Sequence, residues 1–419
     1  MARVPFLIAA AALLTAAAPP PEQVAQAALR AAPVWDGHND VPEQLRVRRQ
    51  DILAGFDFHD TTNTAAPATS ASDYPHPAMQ TDLTRLRKGH VGAQFWSVFV
   101  SSTLTEPQAV QATLEQIDVM KRLIARYPDQ LQFAASAGDV ARAWQAGRIA
   151  SLLGMEGGHQ IGGSLGVLRQ MYALGVRYMT LTHFNNNGWA DSATDAPLHH
   201  GLTPFGRDVV REMQRLGMLV DLSHVSADTM RDALTVAQAP VMFSHSGAAA
   251  IDASPRNVPD DVLISLKHNG GIIMVNTYPY YVSEAVRHWS AAHAAEETRS
   301  KSLNPGAAAA AVLSAWVQAN PRPEATLNEV ADHIDHIAKL IGIDHVGLGG
   351  DFDGIEITTQ GMADVSTYPA LLTELARRGW SQADLAKLAS GNMMRVLRAA
   401  EAYAKAHHAD MPIENATAF

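Results

Sequence analysis

The feature that most constrains this chain is an alternation. Eight short apolar or β-branched runs, at 34–40, 91–100, 149–157, 176–183, 218–224, 240–245, 271–276 and 345–351, are separated by Ala/Leu/Arg-rich stretches. Helical periodicity is plain between them at 106–127, 166–174, 203–216 and 328–341. Repeated βα units bury a parallel sheet beneath helices, and eight of them predict an α/β fold, a (β/α)8 barrel. A doubly wound open sheet shows the same alternation.

Two stretches break the rhythm. Residues 55–80, rich in Thr, Ala, Pro and Ser, predict a long loop after the first strand, and residues 278–326, with the run AAAAAV, predict helical excursions after the seventh. Both follow the carboxyl ends of strands, where barrels build their active sites. No internal repeat or boundary divides the chain, so residues 19–419 are expected to form one domain.

The chain of 419 residues is 47% apolar, enough for a large core, and its net charge of -10 comes with no Lys/Arg cluster. That argues against nucleic acid as a partner and for a small solute. There is no cysteine. Disulfides, thiolate metal sites and a thiol nucleophile are therefore excluded, and any metal must be held by His, Asp and Glu. No G-x-S-x-G elbow or phosphate-binding glycine loop occurs.

The opening MARVPFLIAAAALLTAAAPPPE places Arg3 before an apolar run over 4–18 and three prolines. This order predicts a secretory signal removed after about residue 18, and a soluble mature protein in the periplasm or outside the cell. The run is shorter than the ~20 residues that span a bilayer, which argues against a stable membrane anchor.

Candidate chemistry sits at the ends of the predicted strands. His38 and Asp40 of WDGHND are two apart, and on a strand such residues project from one face. An isolated HxD has many uses besides metal binding. Here, however, the third strand ends in Glu156, the fifth in His224, the sixth in His245 and the eighth in Asp351, with Asp353 just beyond. A barrel gathers those ends around one point. His and carboxylate donors suit zinc, and by ligand type also Mn, Fe or Co. A carboxylate shared by two ions sets them ~3.5–4 Å apart, close enough to activate one water together. By its order in the chain, Glu156 is the natural bridge.

The stretches WDGHNDVP, TDLTRLRKGHVGAQFWSVFV, LLGMEGGH, VRYMTLTHFNNNGWADS, GMLVDLSHVS, SHSGA, SPRNVPDDVL, HVGLGGDFDG and SGNMMRVL run in order from about 34 to 398. Together they resemble the membrane (renal) dipeptidase family, a branch of the amidohydrolase superfamily of metal-dependent barrels. The resemblance implies a dipeptidase with two Zn2+ ions per subunit and a metal-bridging hydroxide as nucleophile. His38 and Asp40 would hold the first ion, His224 and His245 the second, and Glu156 would bridge them. It further implies that His183 contacts substrate and stabilises the oxyanion, and that Arg256 helps hold the substrate. Asp351 would carry a proton from the water to the leaving amine. L,D-dipeptides as substrates and a homodimer are implied on the same ground.

The chain also departs from the family. FNNNGWADS follows His183 where animal members carry a cysteine and then Thr-Pro, and no cysteine exists for their disulfide link. These differences bear on substrate preference rather than on the metal site. The alternatives are another amidohydrolase activity, on a β-lactam, lactone or N-acyl amino acid, or a metal- or peptide-binding barrel without catalysis. His333 and His336, on a helix expected outside the barrel, are read as structural, as are Trp96 and Trp189. His159 is read as packing or as a support of the site, and His199 and His200 as solvated. Asp221 and Asp353 are expected to orient ligands by hydrogen bonds.

Overall fold

The computed structural model describes residues 19–65 and 77–414. The candidate signal at 1–18 and part of the 55–80 stretch lie outside the described residues. The strands are β1 (Val34–Asn39), β2 (Val91–Phe99), β3 (Leu131–Phe133), β4 (Ile149–Glu156), β5 (Val176–Thr180), β6 (Leu219–Asp221), β7 (Met242–Ser246), β8 (Ile272–Val275) and β9 (Val346–Leu348). They lie in the order β2-β1-β9-β8-β7-β6-β5-β4, and pairing of β2 with β4 closes the ring. All pairings are parallel. Eight strands thus form a closed (β/α)8 barrel, which excludes the open-sheet alternative and leaves no free edge in the ring.

β3 is an addition that the alternation does not announce. Its three residues pair with the first part of β4, Leu131 opposite Ile149 and Phe133 opposite Ser151. β5 takes over the same edge of β4 further on, from Leu153 opposite Val176 to Glu156 opposite Thr180. The barrel strands are buried along most of their length because helices cover one face and the interior fills the other, hence their continuous apolar runs.

Three strands stop sooner than the apolar runs suggest. β5 ends at Thr180, β6 at Asp221 and β9 at Leu348, each three residues short of His183, His224 and Asp351. For two of these the reason is local. His224 and Asp351 adopt φ of 68° and 61°, the left-handed region, which no strand accommodates. Their side chains are therefore presented by turns fixed on the barrel rim.

Residues 278–326 form the helices Pro279–Val282, Glu284–Leu303 and Ala307–Ala319. Gly306, at φ 53°, makes the turn between the last two. They pack through Trp289 and Trp316, whose rings lie 6.0 Å apart, and are otherwise largely exposed.

Candidate metal centre

Glu156 ends β4 at the mouth of the barrel, and its two carboxylate oxygens face different partners. Oε2 lies 3.4 Å from His38 Nε2. Oε1 lies 3.0 Å from His224 Nε2 and 3.3 Å from His245 Nε2. His38 Nε2 is also 3.3 Å from Asp40 Oδ2. Three sets of converging donor atoms result, His38/Glu156/His245, Glu156/His183/His224 and His38/Asp40/Asp351. Every residue proposed from the sequence as a ligand thus comes to one point, with His183 and Asp351 beside it.

The donors fit cations better than they fit one another. Among the described residues His38 Nε2 and both Asp40 oxygens are buried with no aligned hydrogen bond, although His38 Nε2 lies within ion-pair distance of Asp40 Oδ2. His224 Nε2 and His245 Nε2 stand 2.9 Å apart. Between Asp40 and Asp351, Gly354 keeps space open: a Cβ there would meet Asp40 Oδ2 at 2.3 Å and Asp351 Oδ1 at 2.8 Å. Unpaired buried polar groups are costly, and metal ions at Glu156 would satisfy them.

A surrounding layer orients the donors. Tyr178 of β5 places its hydroxyl 2.8 Å from His38 Nδ1. Ser244 donates to Asp221 Oδ2 at 2.6 Å, so its oxygen is left to accept from His245 Nδ1–H at 2.8 Å. That turns the Nε2 lone pair of His245 toward Glu156. Asn276 Nδ2 donates to Asp351 Oδ2 at 3.0 Å. Asp353 accepts from the Gln80 backbone N–H at 2.8 Å, tying residues 80 and 353 together at the rim. Asp221 therefore reaches His245 through Ser244, whereas Asp353 bonds to residue 80 and not to a donor. Tyr178, Ser244 and Asn276 lay beyond sequence reasoning, because only strand register brings them to the donors.

The electrostatics divide the site. Burial holds His224 and His245 well below the ordinary histidine range, and burial followed by Arg256 brings His183 down to about 4. These rings are neutral near pH 7. For His38 burial acts downward, but Tyr178, Glu156 and Asp40 together hold it well above the ordinary range. Burial, then Asp40 and Glu156, push Asp351 up to about 8, and burial with Asp40, Glu156 and Asp351 pushes Glu43 up to about 8.

Arg256, between β7 and the helix Asp260–Asn269, is 1% exposed, and among the described residues none of its three guanidinium nitrogens has a hydrogen-bond partner. Its guanidinium lies 5.1 Å from the ring of Tyr281. Tyr281, Asp40, Glu43, Glu156, His183, His224 and Asp351 are among the walls of a cavity of about 370 Å³. Hollows of 590 and 770 Å³ lie elsewhere, beside Tyr127 and Trp380, and hold none of the donors.

Four further histidines make their hydrogen bonds away from the donors. His333 Nδ1 accepts from the Ala248 N–H at 2.9 Å, His336 pairs with Asp260 at 2.8 Å, and His159 and His199 donate to backbone carbonyls. Trp96 and Trp189 belong to the core.

A closed parallel barrel whose carboxyl-terminal mouth gathers buried His, Asp and Glu around one shared carboxylate defines a metal-dependent barrel hydrolase. Within that class the chain belongs to the membrane dipeptidase family, peptidase family M19, which it matches over residues 22–411. It is 41% identical over 408 residues to an uncharacterized dipeptidase of Schizosaccharomyces pombe, covering 94% of this chain and 87% of that one. It is 40% identical over 395 residues to dipeptidase 3 of Macaca fascicularis, covering 93% and 70%. The crystal structure of the probable dipeptidase PvdM from Pseudomonas aeruginosa is similar with a TM-score of 0.76 at 25% identity, covering 91% of this chain and 99% of that one.

Proposed function

We infer that the protein is a metal-dependent dipeptidase, and we propose that it cleaves its substrates, L,D-dipeptides among them, over Glu156. The observation that carries this reading is the division of the Glu156 carboxylate between His38 on one side and His224 with His245 on the other. Two divalent ions, held by His38, Asp40 and Glu156 and by Glu156, His224 and His245, would supply a hydroxide nucleophile near neutral pH and polarise the substrate carbonyl.

The chain's own residues do the rest. The unpartnered Arg256 guanidinium is suited to the substrate carboxylate, which sets the carboxyl-terminal residue on the His183 side. His183, neutral near pH 7, can donate from Nε2 to the oxygen on which charge develops. Asp351 can hold a proton at Oδ1, the oxygen that Asn276 leaves free, and pass it to the departing amine. A cavity of about 370 Å³, near the small end for ligand pockets, suits two residues and not a long peptide.

Zinc as the ion, two ions per chain and a homodimer belong to the same proposal and rest on the family resemblance and donor types. Export rests on residues 1–18 alone, and amino-terminal sequencing of protein recovered from each cell fraction tests it. No helix among the described residues is long and apolar enough to cross a membrane. The catalytic reading is tested by kcat/KM of metal-loaded protein over L,L- and L,D-dipeptides, β-lactams and lactones. Dipeptides are expected to lead; turnover confined to lactams or lactones would refute the assignment.

A further inference from the structure

Three carboxylates at the cavity have work in the reading above: Asp40, Glu156 and Asp351. Two more line the same space, Glu43 and Glu356, and among the described residues no Lys or Arg does. Glu356 is exposed and accepts from the Tyr278 hydroxyl at 2.6 Å. Glu43 stands in the first turn of the helix Val41–Arg49, partly buried. Among the described residues no hydrogen bond or ion pair reaches its carboxylate, and burial and the fields of its neighbours act on it.

The cavity is polarised. Arg256 follows β7 and lies 5.1 Å from the ring of Tyr281, which lines the cavity, whereas Glu43 stands on the helix that follows β1, with β9 and β8 between the two around the ring. A carboxylate seated on Arg256 therefore leaves the amino-terminal residue of a dipeptide on the Glu43 side. The charge of two divalent ions is met by Asp40, Glu156, Asp351 and the nucleophile, so Glu43 is surplus to their balance, and a cationic group beside it would favour its ionised form. The α-ammonium of a dipeptide sits one carbon from the reacting carbonyl and stays at the centre, whereas a cationic side chain extends toward the wall.

We propose that Glu43 is a specificity residue that selects dipeptides whose amino-terminal residue carries a cationic side chain, an amine or a guanidinium. This deepens the dipeptidase reading and rests on it. An ion pair in a partly desolvated cleft is stronger than one at an open surface, and it weakens with salt.

The test compares kcat/KM of the metal-loaded protein for Lys-Ala and Arg-Ala with that for norleucine-Ala, which matches the lysine chain without its charge. The expected preference is about tenfold or more, smaller at high salt. Glu43→Gln and Glu43→Leu, each with metal content measured, should bring the ratio close to one. Calorimetry with non-hydrolysable phosphinate analogues carrying Lys or norleucine first should give the same ratio without turnover. If no dipeptide is cleaved the hydrolytic reading fails, and the phosphinate ratio still decides the role of Glu43. Equal values for Lys and norleucine, or a preference that survives in either metal-loaded variant, would overturn the proposal. Equal rates combined with loss of activity on amino-terminal acetylation would assign the acid to the α-ammonium and equally overturn it.

Discussion

Tyr178 and His38 meet across the barrel interior, hydroxyl to Nδ1 at 2.8 Å, and the contact leaves His38 Nε2 pointing at Glu156 and Asp40. Both residues are fully buried, so neither can exchange that bond for water. Removing the hydroxyl alone should therefore loosen a ligand without opening a large void. Tyr178→Phe is expected to keep its fold and to lose about 10- to 100-fold in metal affinity, the usual cost of removing a support behind a ligating histidine. Competition against a chromogenic chelator measures this, and unchanged affinity would contradict the support role.

Metal loading should expel protons. Without ions, Asp351 is raised to about 8, and His38 lies well above the ordinary histidine range, so both carry a proton near pH 7. Cations at Glu156 require His38 neutral and favour the ionised carboxylate. Loading metal-free protein at pH 7 in weak buffer should release roughly one to three protons per chain, and metal affinity should rise with pH. Release is followed with an indicator dye or by calorimetry in buffers of differing ionisation enthalpy; no exchange of protons would count against the assigned donors.

Arg256 should act on the substrate's carboxylate and on little else. Arg256→Ala is expected to raise KM for free dipeptides, with a loss in kcat/KM of about 10²-fold, in the range for truncating a desolvated charge partner. Dipeptide amides, lacking the carboxylate, should already be poor substrates and lose far less. Equal losses for acid and amide would place the carboxylate elsewhere.

Most of the metal centre was legible in the sequence, because a His or an acid closing an apolar run is visible without any structure. His38, Glu156, His224 and His245 needed only the barrel to bring them together. Closure itself was not legible, since eight βα units read alike in an open sheet and a ring. The extra strand β3 escaped because three residues carry no periodicity. Strand ends were overdrawn at His224 and Asp351, where apolar residues continue into turns with φ near 60–70°. Tyr178 and Ser244 gave no signal, because their roles depend on which strand lies opposite which. Glu43 was not singled out, because only the fold brings the first turn of its helix to the cavity.

His333 offers a test of the fold away from the metals. It is buried against Ala248, and burial lowers it to about 4 from an ordinary 6.5. Between those values the unfolded chain takes up a proton that the folded protein refuses. Stability therefore rises with pH across that window, is complete above about 6.5, and is lost toward 4 by up to about 3 kcal/mol. His333→Gln should be less stable at pH 7 yet show a shallower pH dependence in urea unfolding. A slope equal to that of the unmodified protein would show that His333 titrates normally in the fold.

The central claim is that cations held around Glu156 make this barrel a dipeptidase. The most direct measurement is metal content by mass spectrometry, with dipeptide hydrolysis followed on the same samples, for the purified protein, after chelation and after reloading. Two ions per chain, activity lost with them and restored by zinc, and His38→Ala defective in both are the predicted results. Full hydrolysis by metal-free protein, or by His38→Ala with its metals complete, would contradict it.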